Sequence, residues 1–315
     1  MKIPCFYSDE QIHNAASFSK SPMKPGLIAR KVSLDPDFRM LQSLIDPIGS
    51  DRIARVHDEA HVKAVVAGEK GDGFGNKSKI DNRAIRATVG NFVVAAEYAG
   101  IGKLPGSMMA NIQHPGVVWS LTSGFHHAGY DFCGGYCTFN ALTIAAFELQ
   151  KFRGIKTLIV DEDAHYGNGC INVISHLSMA DYCHYMQSKY THQMSGENSL
   201  IKFTEELESQ LLSFKPNLIM YQAGADNWAG DPLGGGMTMD QLFMRDRAVF
   251  ILAKRHNIPV VVNLAGGYAE DFDDTIAIHM NTAEAMKEIY LGKKPNPVYP
   301  EAALKLEEEI KNEQQ

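Results

Sequence analysis

The chain has 315 residues, of which 45% are hydrophobic and 21% charged, and 30 Lys and Arg stand against 37 Asp and Glu for a formal net charge of −7. Such a composition suits one large globular α/β enzyme domain, and an acidic balance without a basic stripe speaks against a nucleic-acid partner. No stretch approaches the roughly 20 apolar residues of a membrane helix, the opening MKIPCFYSDEQIHN lacks the apolar core of a signal peptide, and the five scattered cysteines point to a reducing cytoplasm rather than a disulfide framework.

The elements follow in chain order. Ile85, Val89, Phe92, Val93 and Ala96 recur at helical spacing and predict a helix over about 81–99, stopped by Gly100. GVVWSLT (116–122) reads as a strand. The next segment, NALTIAAFELQKF, is helical, with Leu142, Ala145, Ala146 and Leu149 on one face. KTLIVDED (156–163) is a strand, and Phe203, Leu207, Leu211 and Phe214 mark a helix. PNLIMYQAGAD (216–226) is again a strand. Thr238 and Gln241 form a capping-box pattern that opens a helix reaching about Asn257. IPVVVNLAGGY (258–268) is a further strand. Pro-punctuated residues from 295 lead to an acidic helix ending at 315, read as decoration on a single domain spanning 1–315. Strands that are almost wholly apolar and alternate with helices predict an α/β fold, a mostly parallel sheet covered on both faces.

Chemistry gathers where the strands stop. LIVDEDAHYGNG (158–169) ends a strand with Asp161, Asp163 and His165, two residues apart, which extended backbone would point the same way. Two buried carboxylates repel, and a cation removes that cost. The alternative is a solvated loop. Other strands run off into His126 and His127, into Asp226 and Asp231, and into Gly266, Gly267 and Tyr268. In open parallel sheets ligands bind outside the carboxyl ends of the strands. Asp163, His165 and Asp226 would give three N/O ligands and one open position, the pattern of a catalytic zinc site. Paired imidazoles suit proton transfer, and a phenol at Tyr268 suits an oxyanion. Together these parts make a hydrolase for a carbonyl compound, most simply an amide. Cys133 and Cys137 could form half of a zinc site, but no second pair has matching spacing, and they read as ordinary small side chains.

The segments SLTSGFHHAG, GGYCTFNALTIAA, LIVDEDAHYGNG, AGADNWAGDPLGGGMT and LAGGY, in this order, resemble the histone deacetylase superfamily, including its bacterial members, over roughly residues 50–290. The resemblance implies the arginase/deacetylase fold, a three-layer domain with a central sheet of about eight strands. It implies Zn2+ on Asp163, His165 and Asp226. His126 and His127 match the tandem histidines, the second being the principal general base and acid. Asp161 matches the carboxylate that orients the first histidine and, in relatives, touches a structural K+ ion. Asn168 matches the partner of the second histidine; as an Asn rather than an Asp it should leave His127 less basic. Tyr268 matches the catalytic tyrosine. Gly135, Tyr136 and Gly266 fall where substrate is bound, and Leu233 stands at the position of a gatekeeper.

The chain also departs from the family pattern. Tyr166 follows His165 where many relatives carry another His. KSPMKPGLIARKV matches the usual N-terminal segment poorly, and DYCHYMQSKY (181–190) matches the potassium-supporting segment weakly. Asp72 aligns only loosely with an acid that holds the substrate backbone.

Two rival readings are weaker. A binuclear manganese ureohydrolase needs further bridging carboxylates, but Gly167 and Trp228 occupy those positions. A non-catalytic binder of acyl ligands would be expected to have lost a ligand, a histidine or Tyr268, and none is lost. The implied substrates are acylated lysine in peptides or proteins, or small N-acyl amines. Acetylpolyamines are less favoured, because Leu233 offers no charge for a second ammonium. Trp228, Tyr136 and Leu233 are expected to give an apolar, aromatic mouth. No direct nucleic-acid or membrane partner is expected, and a homo-oligomer stays open.

Overall fold

The computed structural model describes residues 1–12, 20–42, 47–102, 114–192 and 197–300. The predicted C-terminal acidic helix therefore falls outside the described residues. Seven strands form one sheet: β1 (Ile3–Tyr7), β2 (Phe38–Gln42), β3 (Val117–Ser120), β4 (Thr157–Asp161), β5 (Cys183–Met186), β6 (Leu218–Gln222) and β7 (Val260–Asn263), in the order β2-β1-β3-β7-β6-β4-β5. Every neighbouring pair is parallel. The architecture is the α/β one expected of an arginase/deacetylase fold, with seven strands among the described residues rather than about eight.

Alternation along each strand sends successive side chains to opposite faces. Val118, Ile159, Met220 and Val261 pack with Val89, Phe92 and Val93 of the helix Lys79–Ile101 and with Leu142 and Leu149 of the helix Ala141–Arg153. On the other face Trp119, Val160, Tyr221 and Val262 meet the helices Lys24–Ser33, Glu197–Phe214, Met239–Arg255 and Phe272–Met286. With both faces dry, shortening a central side chain such as Ile159 to Ala should cost about 2–5 kcal/mol.

Local signals set the helix ends. Asn140 accepts from the Thr143 N–H at the start of one helix, and Gly154 closes it at φ 67°. The Thr238–Gln241 capping box forms in both directions, and that helix ends at Arg255. Gly100 does not stop its helix, which runs to Ile101 before Gly102 at φ 70°. Its role is packing: a Cβ there would lie 3.3 Å from Ile155. Three strands escape the sequence reading. β2 and β5 are edges with mixed polarity, and β1 is short and interrupted by Pro4.

The carboxyl ends of β3, β7, β6 and β4 are contiguous, and the site is built on them. Asp161, Gln222 and Asn263 stand side by side as the last residues of β4, β6 and β7. Gln222 Oε1 accepts from Asn263 Nδ2 at 3.2 Å and from the Phe125 N–H at 3.2 Å. This polar row ties the histidine loop to the edge of the sheet.

Candidate active site

β4 ends at Asp161, and the pleat does not carry its alternation through to His165. Convergence comes instead from two successive side-chain turns. The Asp163 N–H donates to Asp161 Oδ1 at 3.2 Å, and the His165 N–H donates to Asp163 Oδ1 at 3.0 Å. Asp163 and His165 are thereby turned toward the β6 loop, while Asp161 faces the histidine pair.

Asp226 enters from the loop after β6. His165 Nδ1 lies 3.0 Å from Asp163 Oδ1 and 3.1 Å from Asp226 Oδ2. One ligand atom from each of the three falls within 4.8 Å of the others, and no other such group of metal-binding side chains occurs among the described residues. The Gly266 N–H donates to Asp163 Oδ2 at 2.7 Å, and a Cβ on Gly266 would lie 2.1 Å from Asp226 Oδ2, so only glycine fits this wall. Both carboxylates are fully buried. Burial and the neighbouring Asp163 charge push Asp226 up to about 7, while its hydrogen bonds to Asp163 and Asp226 raise His165 to about 10. Two carboxylates packed this tightly repel, and a cation between them would relieve that cost. Two oxygen donors and an imidazole nitrogen on one side of a cavity fit a catalytic divalent ion with an open position.

The tandem histidines differ sharply. His126 is buried, with Nδ1 2.8 Å from Asp161 Oδ2 and Nε2 3.6 Å from Asp163 Oδ1. Burial opposes its charge, but Asp161 and Asp163 outweigh that and raise it to about 9. His127 is half-buried, with Nδ1 2.7 Å from Asn168 Oδ1. Burial and the adjacent His126 charge push its pKa down.

Tyr268 follows β7. Its N–H donates to Asp231 Oδ2 at 2.6 Å, and its ring stands edge-on to His165 at 6.3 Å. Burial, and then the Asp163 and Asp226 charges, hold the phenol well above its usual range, so it stays a proton donor. Tyr136 sits at φ 63°, a conformation costing about 1–3 kcal/mol, held by its N–H bond to the Gly73 carbonyl at 3.1 Å. Its ring lies 5.5 Å from Phe74 and 5.7 Å from Tyr268. A Cβ on Gly135 would lie 2.3 Å from the His127 ring, so glycine is required there. A cavity of about 30 Å³ is lined by His126, Gly135, Tyr136, Asp163, Gly266 and Tyr268.

Several expectations change. Trp228 does not form the mouth; it is 3% exposed and packs with Met237 and Leu242 in a satellite core. Leu233 is 45% exposed, its N–H held by Asp231 Oδ1 at 3.0 Å, and it does not line the cavity. The aromatic wall comes from Tyr136, as expected, together with Phe74. Asp72 shapes its own loop, accepting from the Phe74 and Asn76 N–H groups at 2.9 Å each. Cys133 and Cys137 donate to the Gly71 and Gly124 carbonyls, as ordinary small side chains do.

The sequence reading also passed over residues that hold the site. Lys24 is fully buried, and its Nζ donates to the Ala265 carbonyl at 2.5 Å and the Gly266 carbonyl at 3.0 Å. Burial lowers it to about 8 against the pull of Asp226, Asp163 and Asp231. Asp231, which the sequence marks only as a residue of the rim, anchors the Tyr268 backbone. Tyr185 Oη donates to Asp161 Oδ2 at 2.7 Å, and Gln187 Nε2 donates to the Asp163 and His165 carbonyls.

An α/β sheet that gathers Asp161, Asp163, Asp226, three histidines and a tyrosine at its carboxyl edge has the outline of a hydrolase centre with a group able to hold a metal ion. A family model described as histone deacetylase domain matches residues 26–283, and the chain belongs to the histone deacetylase family. "Histone deacetylase 2" of Arabidopsis thaliana is 32% identical over 180 residues, 50% of this chain and 46% of that protein. An uncharacterized protein of Picosynechococcus is 25% identical over 92% of this chain and 100% of its own length. "Histone deacetylase clr6" of Schizosaccharomyces pombe is 22% identical over 85% of this chain and 73% of its own length. The chain thus spans about half the length of the Arabidopsis relative.

Proposed function

We propose that this protein is a zinc-dependent amidohydrolase that removes acetyl or other acyl groups from lysine side chains or related N-acyl amines. The observation that carries the reading is the cluster of Asp163, His165 and Asp226 at the foot of a cavity lined by Asp163 and Tyr268, with a neutral His127 close by and Tyr268 kept protonated. Asp163, His165 and Asp226 would hold the ion. A divalent ion held there would supply Lewis acidity to the scissile carbonyl and to a water. His127 takes the water's proton and later delivers it to the departing amine. His126, charged and fixed by Asp161, keeps positive charge beside the reacting centre. Tyr268 donates its O–H to the carbonyl oxygen as negative charge develops there. The Tyr136 and Phe74 rings accept an alkyl stem between the solvent and the metal centre.

The binuclear alternative gains no support. A side chain at Gly167 would meet Tyr185 Oη at 1.9 Å, so no bridging carboxylate fits. Five free cysteines suit a reducing cytoplasm, and among the described residues no helix is long and apolar enough to cross a membrane.

The test is hydrolysis of a fluorogenic acetyl-lysine amide, alongside acetylpolyamines and longer acyl-lysine peptides. Activity should vanish with a chelator and return with zinc. Full activity after metal removal would refute the reading.

A further inference from the structure

The resemblance to the deacetylase superfamily implies a potassium ion beside Asp161, and the residues present do not suit one. A bound cation of that kind is gripped by carbonyl and carboxylate oxygens. Here those oxygens already have donors. Gln187 Nε2 donates to the Asp163 carbonyl at 3.2 Å and to the His165 carbonyl at 2.6 Å. Its two N–H protons thus serve the two backbone carbonyls of the ligand loop. On the other side of the amide, Gln187 Oε1 accepts the Gly167 N–H at 3.2 Å. Two carbonyls facing one end and an N–H facing the other admit a single orientation of the amide.

The Asp161 carboxylate is equally engaged. Oδ1 accepts the Asp163 N–H at 3.2 Å, and Oδ2 accepts from His126 Nδ1 at 2.8 Å and Tyr185 Oη at 2.7 Å. Tyr185 Oη also lies 3.2 Å from Gln187 Oε1, but its one proton goes to the shorter, charged acceptor. The arrangement follows from the sheet. Val160 of β4 is paired with Met186 of β5, so Gln187 stands beside Asp161 just past the strand ends. Gly167 makes room for the tyrosine, since a Cβ there would lie 1.9 Å from Tyr185 Oη and 3.0 Å from Asp161 Oδ2.

We propose that Tyr185 and Gln187 do by hydrogen bonding what a potassium ion would do by coordination, so that the metal-ligand loop of this protein is assembled without a monovalent cation. Gln187 is a positioning residue: it acts through the backbone of Asp163 and His165. Its effect on zinc rests on the reading of those two residues as ligands. The independence from potassium does not.

The experiment compares wild type in KCl, NaCl and choline chloride at matched ionic strength, reading thermal unfolding of the metal-free protein and zinc affinity by competition with a chromophoric chelator. Both are expected to be the same in all three salts. Gln187→Ser uncovers the two carbonyls; in choline it should bind zinc about 10–100-fold more weakly, and KCl should restore the affinity with saturation. A saturable rise in melting temperature or zinc affinity of the wild type with K+ over choline would overturn the proposal. So would a Rb+ peak between the two carbonyls in a soaked wild-type crystal, or unchanged zinc affinity of Gln187→Ser in choline. Should Gln187→Ser fail to fold, the wild-type salt comparison decides alone. Neither readout needs turnover, so a protein without deacylase activity could still pass or fail this test.

Discussion

His126 and His127 are adjacent, with ring centroids 4.1 Å apart, yet they sit in opposite electrostatic surroundings. On the inner side, His126 is buried against Asp161, whose carboxylate is shared with Tyr185. That side is a closed network in which charge is compensated. On the outer side, half-buried His127 has at Nδ1 the neutral carbonyl of the Asn168 amide, where His126 has a carboxylate. Partial burial there, with a charged neighbour, leaves the ring neutral. The difference teaches that two identical side chains are driven to opposite charge states by their burial and their partners, as the proposed division into an electrostatic fixture and a proton carrier requires. A base must be unprotonated at working pH, which only the outer ring satisfies.

Mutations can break this asymmetry. The largest effect is expected for His127→Ala, a loss of at least about 10³-fold in kcat/KM with zinc affinity within a few-fold, because the proton carrier goes while the ligands stay. His126→Ala should cost less, about 10–100-fold, since Asp161 loses a partner but the base remains. The reverse ranking in steady-state kinetics would exchange the two roles. Next in size is Tyr268→Phe, expected to lower kcat about 10²–10³-fold with little change in KM and metal content. A variant with unaltered kcat would remove the phenol from the reaction.

Much of this site was legible because its signals are local. Asp161, Asp163 and His165 lie within five residues, the two histidines are neighbours, and each group follows closely on an apolar strand. The fold class was legible for the same reason, since a buried parallel strand needs continuous apolar sequence. Lys24, Tyr185 and Gln187 carry no such signal. Lys24 is separated from the Gly266 carbonyl it holds by 242 positions, and β5 reads poorly as a strand because its half-polar sequence borders solvent at the sheet edge. Trp228 is expected at the mouth as an aromatic side chain, but its indole enters an apolar cluster with Met237 and Leu242. Residues that support a site by long-range hydrogen bonds are fixed by topology, which the periodicity of a single segment does not report.

The finest probe of the asymmetry is Asn168→Asp, which leaves shape intact and gives the outer histidine the kind of partner the inner one has. In wild type, burial and the His126 charge hold His127 below its ordinary value. Activity should therefore be full at neutral pH and fall only as pH drops through that lowered value. A carboxylate 2.7 Å from Nδ1, where the amide oxygen now stands, favours the imidazolium and should raise the His127 pKa. The sign follows: the acidic limb of the kcat/KM profile moves to higher pH, so the variant loses rate first below neutrality while its rate on the alkaline side changes little. The measurement is a pH profile of kcat/KM for both proteins on the same acyl-lysine peptide. An acidic limb that stays in place would mean that His127 does not set it, and one that moves to lower pH would contradict the electrostatics drawn here.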